Sequence, residues 1–179
     1  MNAAPAVAFI GLGGNVGDVA TTLRQAAAEL DALPGSRLLR LSSLYRTAAW
    51  GMTDQPDFIN AVAAVRTTLA PQALLDALLR IECRHGRDRG REQRWGPRTL
   101  DLDLLLHGQR RMQETGLRLP HPHLHERAFV LVPLAEIAPD ARIPGVGTVG
   151  DALARLPSDG VAGVVPLQGA ATDSHTLSR

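Results

Sequence analysis

Residues 100–104 read Leu-Asp-Leu-Asp-Leu, a strict alternation of apolar and acidic side chains. Because successive side chains of a β-strand point to opposite faces, this alternation predicts a strand with one leucine face and one acidic face. Asp101 and Asp103 would then lie about 7 Å apart along the strand, near enough to share magnesium ions. An acidic strand face is commonly just solvated, so the neighbours of the two aspartates must decide whether they form a site.

Other segments show the period of a strand or of a helix. Residues 58–68 alternate with period two and predict a second strand. Residues 72–85 follow Pro71, repeat leucines at helical spacing and predict an amphipathic helix. The remaining predicted elements are strands at 6–12, 37–47, 99–107 and 163–167, and helices at 18–33, 126–137 (interrupted near Pro133) and 148–156.

This order of elements predicts an α+β fold, a ferredoxin-like antiparallel sheet with helices packed on it. The length of 179 residues fits a single domain, which we place at 1–168, followed by a disordered tail at 169–179. No apolar run nears the roughly 20 residues that cross a bilayer, and the N-terminus lacks a basic signal-peptide segment. We therefore expect a cytoplasmic protein without a membrane partner, and a monomer is the working expectation.

The charged residues restrict the chemistry. All 19 basic residues are arginine, so the lysine-dependent classes are excluded: Walker A nucleotide sites, protein kinases and pyridoxal enzymes. The net charge of +1 argues against a nucleic acid partner. The single cysteine, Cys83, is expected to be a small buried hydrophobe.

Seven of the arginines fall within the nineteen residues 80–98, just before the two aspartates. The planar guanidinium fork of arginine suits phosphate oxygens and stabilises charge that develops during phosphoryl transfer. Nucleic acid also binds such clusters, but Asp101 and Asp103 would repel its phosphates unless a metal intervened. The combination favours a magnesium-bound nucleotide.

Two further patterns suggest ligand contacts. Phe58 and Asn60 share one face of a predicted strand, and together they would suit a flat heterocycle with an amide edge. His121, His123 and His125 are spaced by two residues, but the intervening prolines make a zinc site the weaker interpretation. Arg127 follows closely, so phosphate contact is favoured, with His121 as a neutral or protonated donor.

The chain resembles the 6-hydroxymethyl-7,8-dihydropterin pyrophosphokinase (HPPK) family of folate biosynthesis over most of its length. The resemblance is most specific at residues 94–103, Arg-Trp-Gly-Pro-Arg-Thr-Leu-Asp-Leu-Asp. The other matching stretches are residues 11–15, 42–47, 54–60 and 119–122, with Arg127 and Phe129.

The resemblance implies an activity and a set of site residues. The hydroxymethyl oxygen of the pterin would attack the β-phosphorus of ATP, and AMP would leave. Two Mg²⁺ ions would be held by Asp101 and Asp103. The pterin would be bound by Thr47, Trp50, Phe58, Asn60, Trp95 and Phe129. ATP would be bound by Glu82, Arg87, Arg98, His121 and Arg127. The catalytic residues would be Arg87, Arg98 and Asp103.

The sequence departs from the pattern expected of the family at Leu79, at Ala48 and Ala49, and in an arginine loop that is one residue longer. These departures concern the adenine contacts and loop closure. Two other functions stay open at this point, an RNA-binding module with a ferredoxin-like sheet and a metal-dependent nucleotide hydrolase. The first lacks the RNP aromatic motif, and the second would leave Phe58 and Asn60 without a role.

Overall fold

The computed structural model describes residues 4–49, 53–94 and 96–168. Within them the strands are β1 (Ala6–Gly14), β2 (Ser36–Leu41), β3 (Tyr45–Thr47), β4 (Phe58–Thr67), β5 (Asp101–His107), β6 (Met112–Glu114), β7 (Leu117–Leu119), β8 (Arg142–Ile143), β9 (Gly147–Thr148) and β10 (Val165–Pro166). The α-helices are α1 (Val19–Asp31), α2 (Pro71–Arg84), α3 (Ala128–Ile137), α4 (Val149–Ala154) and α5 (Ser158–Ala162), with a 3-10 helix at Leu124–Glu126.

The main sheet is antiparallel throughout and has the strand order β10-β3-β4-β1-β5, with β2 also paired to β4. Strand β1 therefore lies between β4 and β5. Its Gly13 stands opposite Asn60 on one neighbour and Asp101 on the other. This register brings together two sequence regions that lie about forty residues apart.

Helices cover both faces of the sheet. On one face, Leu23 of α1 and Leu74 of α2 pack into a core with Ile10 and Leu102. On the other face, Leu131 of α3 belongs to a second buried cluster that contains sheet residues of β4 and β5. Side-chain burial on both faces is the main stabilising term for such a layered fold.

The predicted mixed fold with an antiparallel sheet is confirmed, and the alternating segments at 58–68 and 99–107 are strands β4 and β5. The predicted strand at 37–47 is wrong in one respect, because it divides into β2 and β3. Ser42 lies in the gap, where its hydroxyl accepts the amide hydrogen of Val62 at 2.9 Å in place of a backbone carbonyl. The expected tail at 169–179 lies outside the described residues.

Two other expectations were wrong. Helix α3 runs without interruption through Pro133, which is buried. Pro133 is the sixth of the ten helical residues, and because proline has no N–H the helix lacks one backbone hydrogen bond there. Cys83 is exposed, because the buried residues of α2 include Leu78, Ile81 and Glu82, which places Cys83 on the other side of the helix. Among the residues that the structure describes, no helix is long and apolar enough to cross a membrane.

Candidate active site

Strand β5 carries the two aspartates as its alternation predicts. Leu102 and Leu104 are buried in the core, whereas Asp101 and Asp103 are half-buried on the opposite face. Further along β5, Leu105 and Leu106 belong to the buried cluster that packs against α3. The pairing of β1 with β5 shifts register at this point, between Phe9 and Ile10. The two carboxylates therefore sit side by side at the beginning of a buried strand.

Both carboxylate oxygens of Asp101 accept hydrogen bonds from arginine. Arg87 Nη1 donates to Oδ1 at 2.5 Å, and Arg98 Nη1 donates to Oδ2 at 2.9 Å. Burial alone would raise the pKa of Asp101, but these two guanidinium groups hold it below its ordinary value. Asp101 is therefore ionised, and it links the arginine-rich segment to the strand.

Glu82, at the end of α2, holds this arginine segment in place. Its side chain is buried, and Oε1 accepts hydrogen bonds from the Leu102 amide and from Arg87 Nη1, both at 2.8 Å. Arg89 adds two further hydrogen bonds to the same carboxylate. Burial would lower the pKa of Arg87, but Asp101 and Glu82, with Glu92, raise it instead. A buried charge network of this kind requires every partner to be present.

Asp103 has a different environment. Among the residues that the structure describes, it makes no hydrogen bond or ion pair of its own. Burial and the neighbouring Asp101 raise its pKa above the ordinary value, and Arg127 offsets part of this effect. A desolvated carboxylate beside a second carboxylate is stabilised by a cation, so the donor set suits a hard divalent ion.

The segment after β7 adds a neutral imidazole and a cation to the same region. Burial, together with Arg127, lowers the pKa of His121 to about 4, so this side chain is neutral at pH 7. Its Nδ1 accepts the backbone N–H of His123 at 3.2 Å, which leaves the proton on Nε2 as a donor. Arg127 lies over the ring of Phe129, with Cζ 5.7 Å from the ring centroid, in a cation–π contact.

An amide and an aromatic ring lie at the other side of β1. The Asn60 side chain donates from Nδ2 to Thr47 Oγ1 at 3.1 Å. Phe58 stands directly opposite Thr47 in the pairing of β3 with β4, and both residues are half-buried. Three of the predicted pterin residues are therefore neighbours in space.

Asn15 is a site residue that the sequence analysis missed. Its side chain is buried, and Nδ2 donates to Gln55 Oε1 and to the Pro56 carbonyl, both at 3.0 Å. Its Oδ1 accepts the Arg98 amide at 2.8 Å. Asn15 thereby joins the loop before Phe58 to the arginine segment. Asn15 follows the glycines of residues 11–14, and no local pattern in the sequence shows that its amide is buried.

Two buried side-chain atoms in this segment, Arg98 Nε and Thr99 Oγ1, make no hydrogen bond among the residues that the structure describes. Arg98 Nε is the charged donor of the two. An orphaned buried donor costs about 1–3 kcal/mol, so such a group within an arginine cluster indicates an acceptor supplied by a ligand.

The structure thus brings the predicted residues into two adjacent groups on either side of β1. The first set of residues surrounds Asp101 and comprises Glu82, Arg87, Arg98, Asp101, Asp103, His121 and Arg127. The second set comprises Thr47, Phe58 and Asn60. Phe129 adjoins Arg127 of the first set. Trp50 and Trp95 lie outside the described residues.

These features define an α+β protein whose paired carboxylates and arginines suit a metal-bound phosphate. The family model of 7,8-dihydro-6-hydroxymethylpterin-pyrophosphokinase (HPPK) matches residues 9–139. The chain belongs to this family.

Several relatives and solved structures are similar to the chain. A protein of Methylorubrum extorquens named 2-amino-4-hydroxy-6-hydroxymethyldihydropteridine pyrophosphokinase is 49% identical over 154 residues, which is 86% of this chain and 96% of that protein. A protein of the same name from Pseudomonas aeruginosa is 44% identical, over 86% of this chain and 93% of that protein. The fold is similar to the crystal structure of Plasmodium falciparum HPPK-DHPS with pteroate, with a TM-score of 0.66 and 13% identity. That match covers 84% of this chain and 42% of the other.

Proposed function

We infer that this chain transfers a pyrophosphoryl group from ATP to the hydroxymethyl group of 6-hydroxymethyl-7,8-dihydropterin, in folate biosynthesis. The chain matches two relatives named as this pyrophosphokinase over 96% and 93% of their length. The structural observation that best supports the inference is the pairing of Arg87 and Arg98 on one carboxylate, Asp101, with Arg98 Nε left without an acceptor. Such a cluster suits the phosphates of ATP.

We propose that Arg87, Arg98 and Arg127 engage the phosphates of ATP. The two arginines bound to Asp101 would pass their hydrogen bonds to phosphate oxygens as the nucleotide enters. His121, neutral with its proton on Nε2, would donate a further hydrogen bond. Glu82 is already saturated by the Leu102 amide and two arginines, so its support for ATP would come through the arginines that it orients.

The pterin is proposed to lie on the other side of β1. Phe58 and Phe129 would stack on its ring, and the Asn60 amide would bind its polar edge from the position set by Thr47. Trp50 and Trp95 are proposed from the family resemblance alone. The Arg127–Phe129 contact would join the pterin half to the phosphate half.

Asp101 and Asp103 are the residues that would hold magnesium. Among the described residues, no three potential metal-binding side chains converge, but magnesium usually takes one or two carboxylates and completes its shell with water and phosphate oxygens. Two carboxylates therefore fit, and we propose two ions. When bound, magnesium would neutralise charge on the ATP phosphates.

In the proposed reaction, the hydroxymethyl oxygen bonds to the β-phosphorus. The bond from that phosphorus to the oxygen bridging the α-phosphate breaks, and AMP leaves with this oxygen. The hydroxyl proton is released, and we assign Asp103 to assist its departure. Catalysis of this kind depends mainly on positioning and on stabilising developing charge, here by Arg87 and Arg98.

Four further assignments complete the proposal. The order β5-β1-β4-β2, with α1 and α2 on one face, favours a ferredoxin-like core. We place the catalytic domain at residues 1–168, with 169–179 as a tail. ATP is the donor, which favours the cytoplasm as the compartment, and a monomer remains the working proposal.

The test is a reaction of the full chain with ATP, Mg²⁺ and the hydroxymethyl dihydropterin, with nucleotides and pterins separated by chromatography. We expect AMP and pterin diphosphate in equal amounts, no AMP without pterin, and no reaction after chelation of Mg²⁺. ATP consumption without pterin would instead indicate a hydrolase and refute the proposal.

A matched pair of variants locates the reaction. Asp103→Asn should abolish turnover while the thermal midpoint stays within a few degrees, because it changes only a half-buried polar-face residue. Asp140→Asn, at an exposed aspartate after α3, should leave turnover unchanged. Equal activity of the two variants would contradict the assignment of Asp103.

A further inference from the structure

Strand β1 carries glycine at two positions that stand opposite site residues on its neighbouring strands. Gly13 stands opposite Asn60 on β4 and Asp101 on β5, and Gly11 stands opposite Asp103 on β5. Directly opposite residues in an antiparallel pair project to the same face of the sheet. The side chains of Asn60 and the two aspartates therefore flank a part of β1 that has no side chains on this face, since Leu12 packs into the core on the other face.

The two glycines differ in what a side chain would meet. A Cβ atom at Gly13 would lie 2.7 Å from Asn60 Oδ1, closer than real Cβ contacts allow. A Cβ atom at Gly11 would meet Leu105 and Asp103 at 3.7–3.8 Å, which is ordinary van der Waals contact. Neither glycine has a positive φ, so alanine would not strain the backbone at either position.

The close approach at Gly13 determines how the Asn60 amide lies. Its Oδ1 reaches over β1 while its Nδ2 donates to Thr47 Oγ1 on β3, so the amide spans three strands. An amide has two N–H donors and an acceptor oxygen. With one N–H used by Thr47, one donor and the acceptor remain for a ligand edge.

We propose that Gly13 is a positioning residue for the pterin, and that its missing side chain is what lets the Asn60 amide lie across β1 and present this edge. The proposal rests on the proposed function above. A methyl group at position 13 would displace the end of the Asn60 side chain, which can rotate. The fold would persist, but the hydrogen bond to Thr47 and the edge offered to the pterin would be lost.

The experiment compares Gly13→Ala with Gly11→Ala, a matched substitution two residues away on the same strand face. Pterin affinity is measured by calorimetry in the presence of Mg²⁺ and a non-hydrolysable ATP analogue. Losing one or two positioned hydrogen bonds should weaken pterin binding about tenfold in Gly13→Ala. Gly11→Ala should change it less than about twofold. Affinity for the ATP analogue alone should be the same in both.

A second background separates displacement of Asn60 from direct obstruction of the ligand. If Gly13 acts through Asn60, Gly13→Ala should have no further effect on pterin affinity in an Asn60→Ala protein. NMR of the uncomplexed protein should also show a changed Asn60 side-chain amide resonance in Gly13→Ala only.

The outcomes that would overturn the inference are distinct from failure of the proposed function. Unchanged pterin affinity in Gly13→Ala, or an equal loss in the Asn60→Ala background, would overturn the positioning role alone. No pterin binding by the unaltered protein would overturn the proposed function and, with it, this inference.

Discussion

Asn15→Ala should destabilise the protein and disconnect the two halves of the site. The side chain makes three hydrogen bonds of 2.8–3.0 Å, to Gln55, Pro56 and Arg98, from a buried position. At about 1 kcal/mol for each hydrogen bond, the free energy of unfolding should fall by about 3 kcal/mol. For a domain of this size, that corresponds to a thermal midpoint lower by about 6–12 °C.

The loss should also reach the reaction, because Asn15 holds the backbone of Arg98 and the loop that precedes Phe58. We expect kcat/KM to fall for both ATP and pterin. Urea unfolding followed by circular dichroism gives the stability, and initial rates give the kinetic parameters. Asn15→Asp is the informative control, since it keeps an acceptor for the Arg98 amide but cannot donate to Gln55 or Pro56.

Asn15→Asp should be no more stable than the unaltered protein, because it loses the two hydrogen bonds that Asn15 donates. A double-mutant cycle between Asn15 and Gln55 should give a coupling energy of about 1 kcal/mol. A thermal midpoint in Asn15→Ala within about 2 °C of the unaltered protein would refute the reasoning. So would a full loss of stability with no change in kcat/KM for either substrate.

Two further predictions concern a charge and a proton. Arg98→Ala should lower kcat about a hundredfold or more, roughly 3 kcal/mol, because Arg98 is proposed to stabilise charge that develops in transfer; an effect confined to the KM for pterin, at saturating ATP, would contradict that role. Tyr45 is the single tyrosine, and burial together with its hydrogen bond to Glu136 raises its pKa well above the ordinary value of about 10. The stability that this contact contributes is therefore fully present below pH 10 and is lost as pH rises through the folded-state pKa. Tyrosinate absorbance should stay absent in the folded protein near pH 10. In Glu136→Gln it should appear at a lower pH than in the unaltered protein, because burial alone then raises the pKa. Titration of the unaltered folded protein at the ordinary pKa would show the contact to be misassigned.

Much of the fold was determined by local patterns in the sequence. The alternation at 100–104 and at 58–68 predicted both strands, and at 100–104 it also predicted the buried leucine face, because a period of two assigns every side chain to one face. Strand β4 is buried on both faces, which its alternation did not show. The leucine spacing after Pro71 specified α2 in the same way. The absence of lysine and the density of arginine indicated how phosphate would be bound before any contact was known.

The tertiary structure decided which of these residues meet. The hydrogen bonds from Arg87 and Arg98 to a single carboxylate, and the link from Asn15 to Pro56, join residues that no local period relates. The neutral state of His121 depends on burial by distant elements. Periodicity reports the face on which a side chain lies but not its partner across the sheet, and for that reason the charge state and hydrogen bonds of the site required the fold.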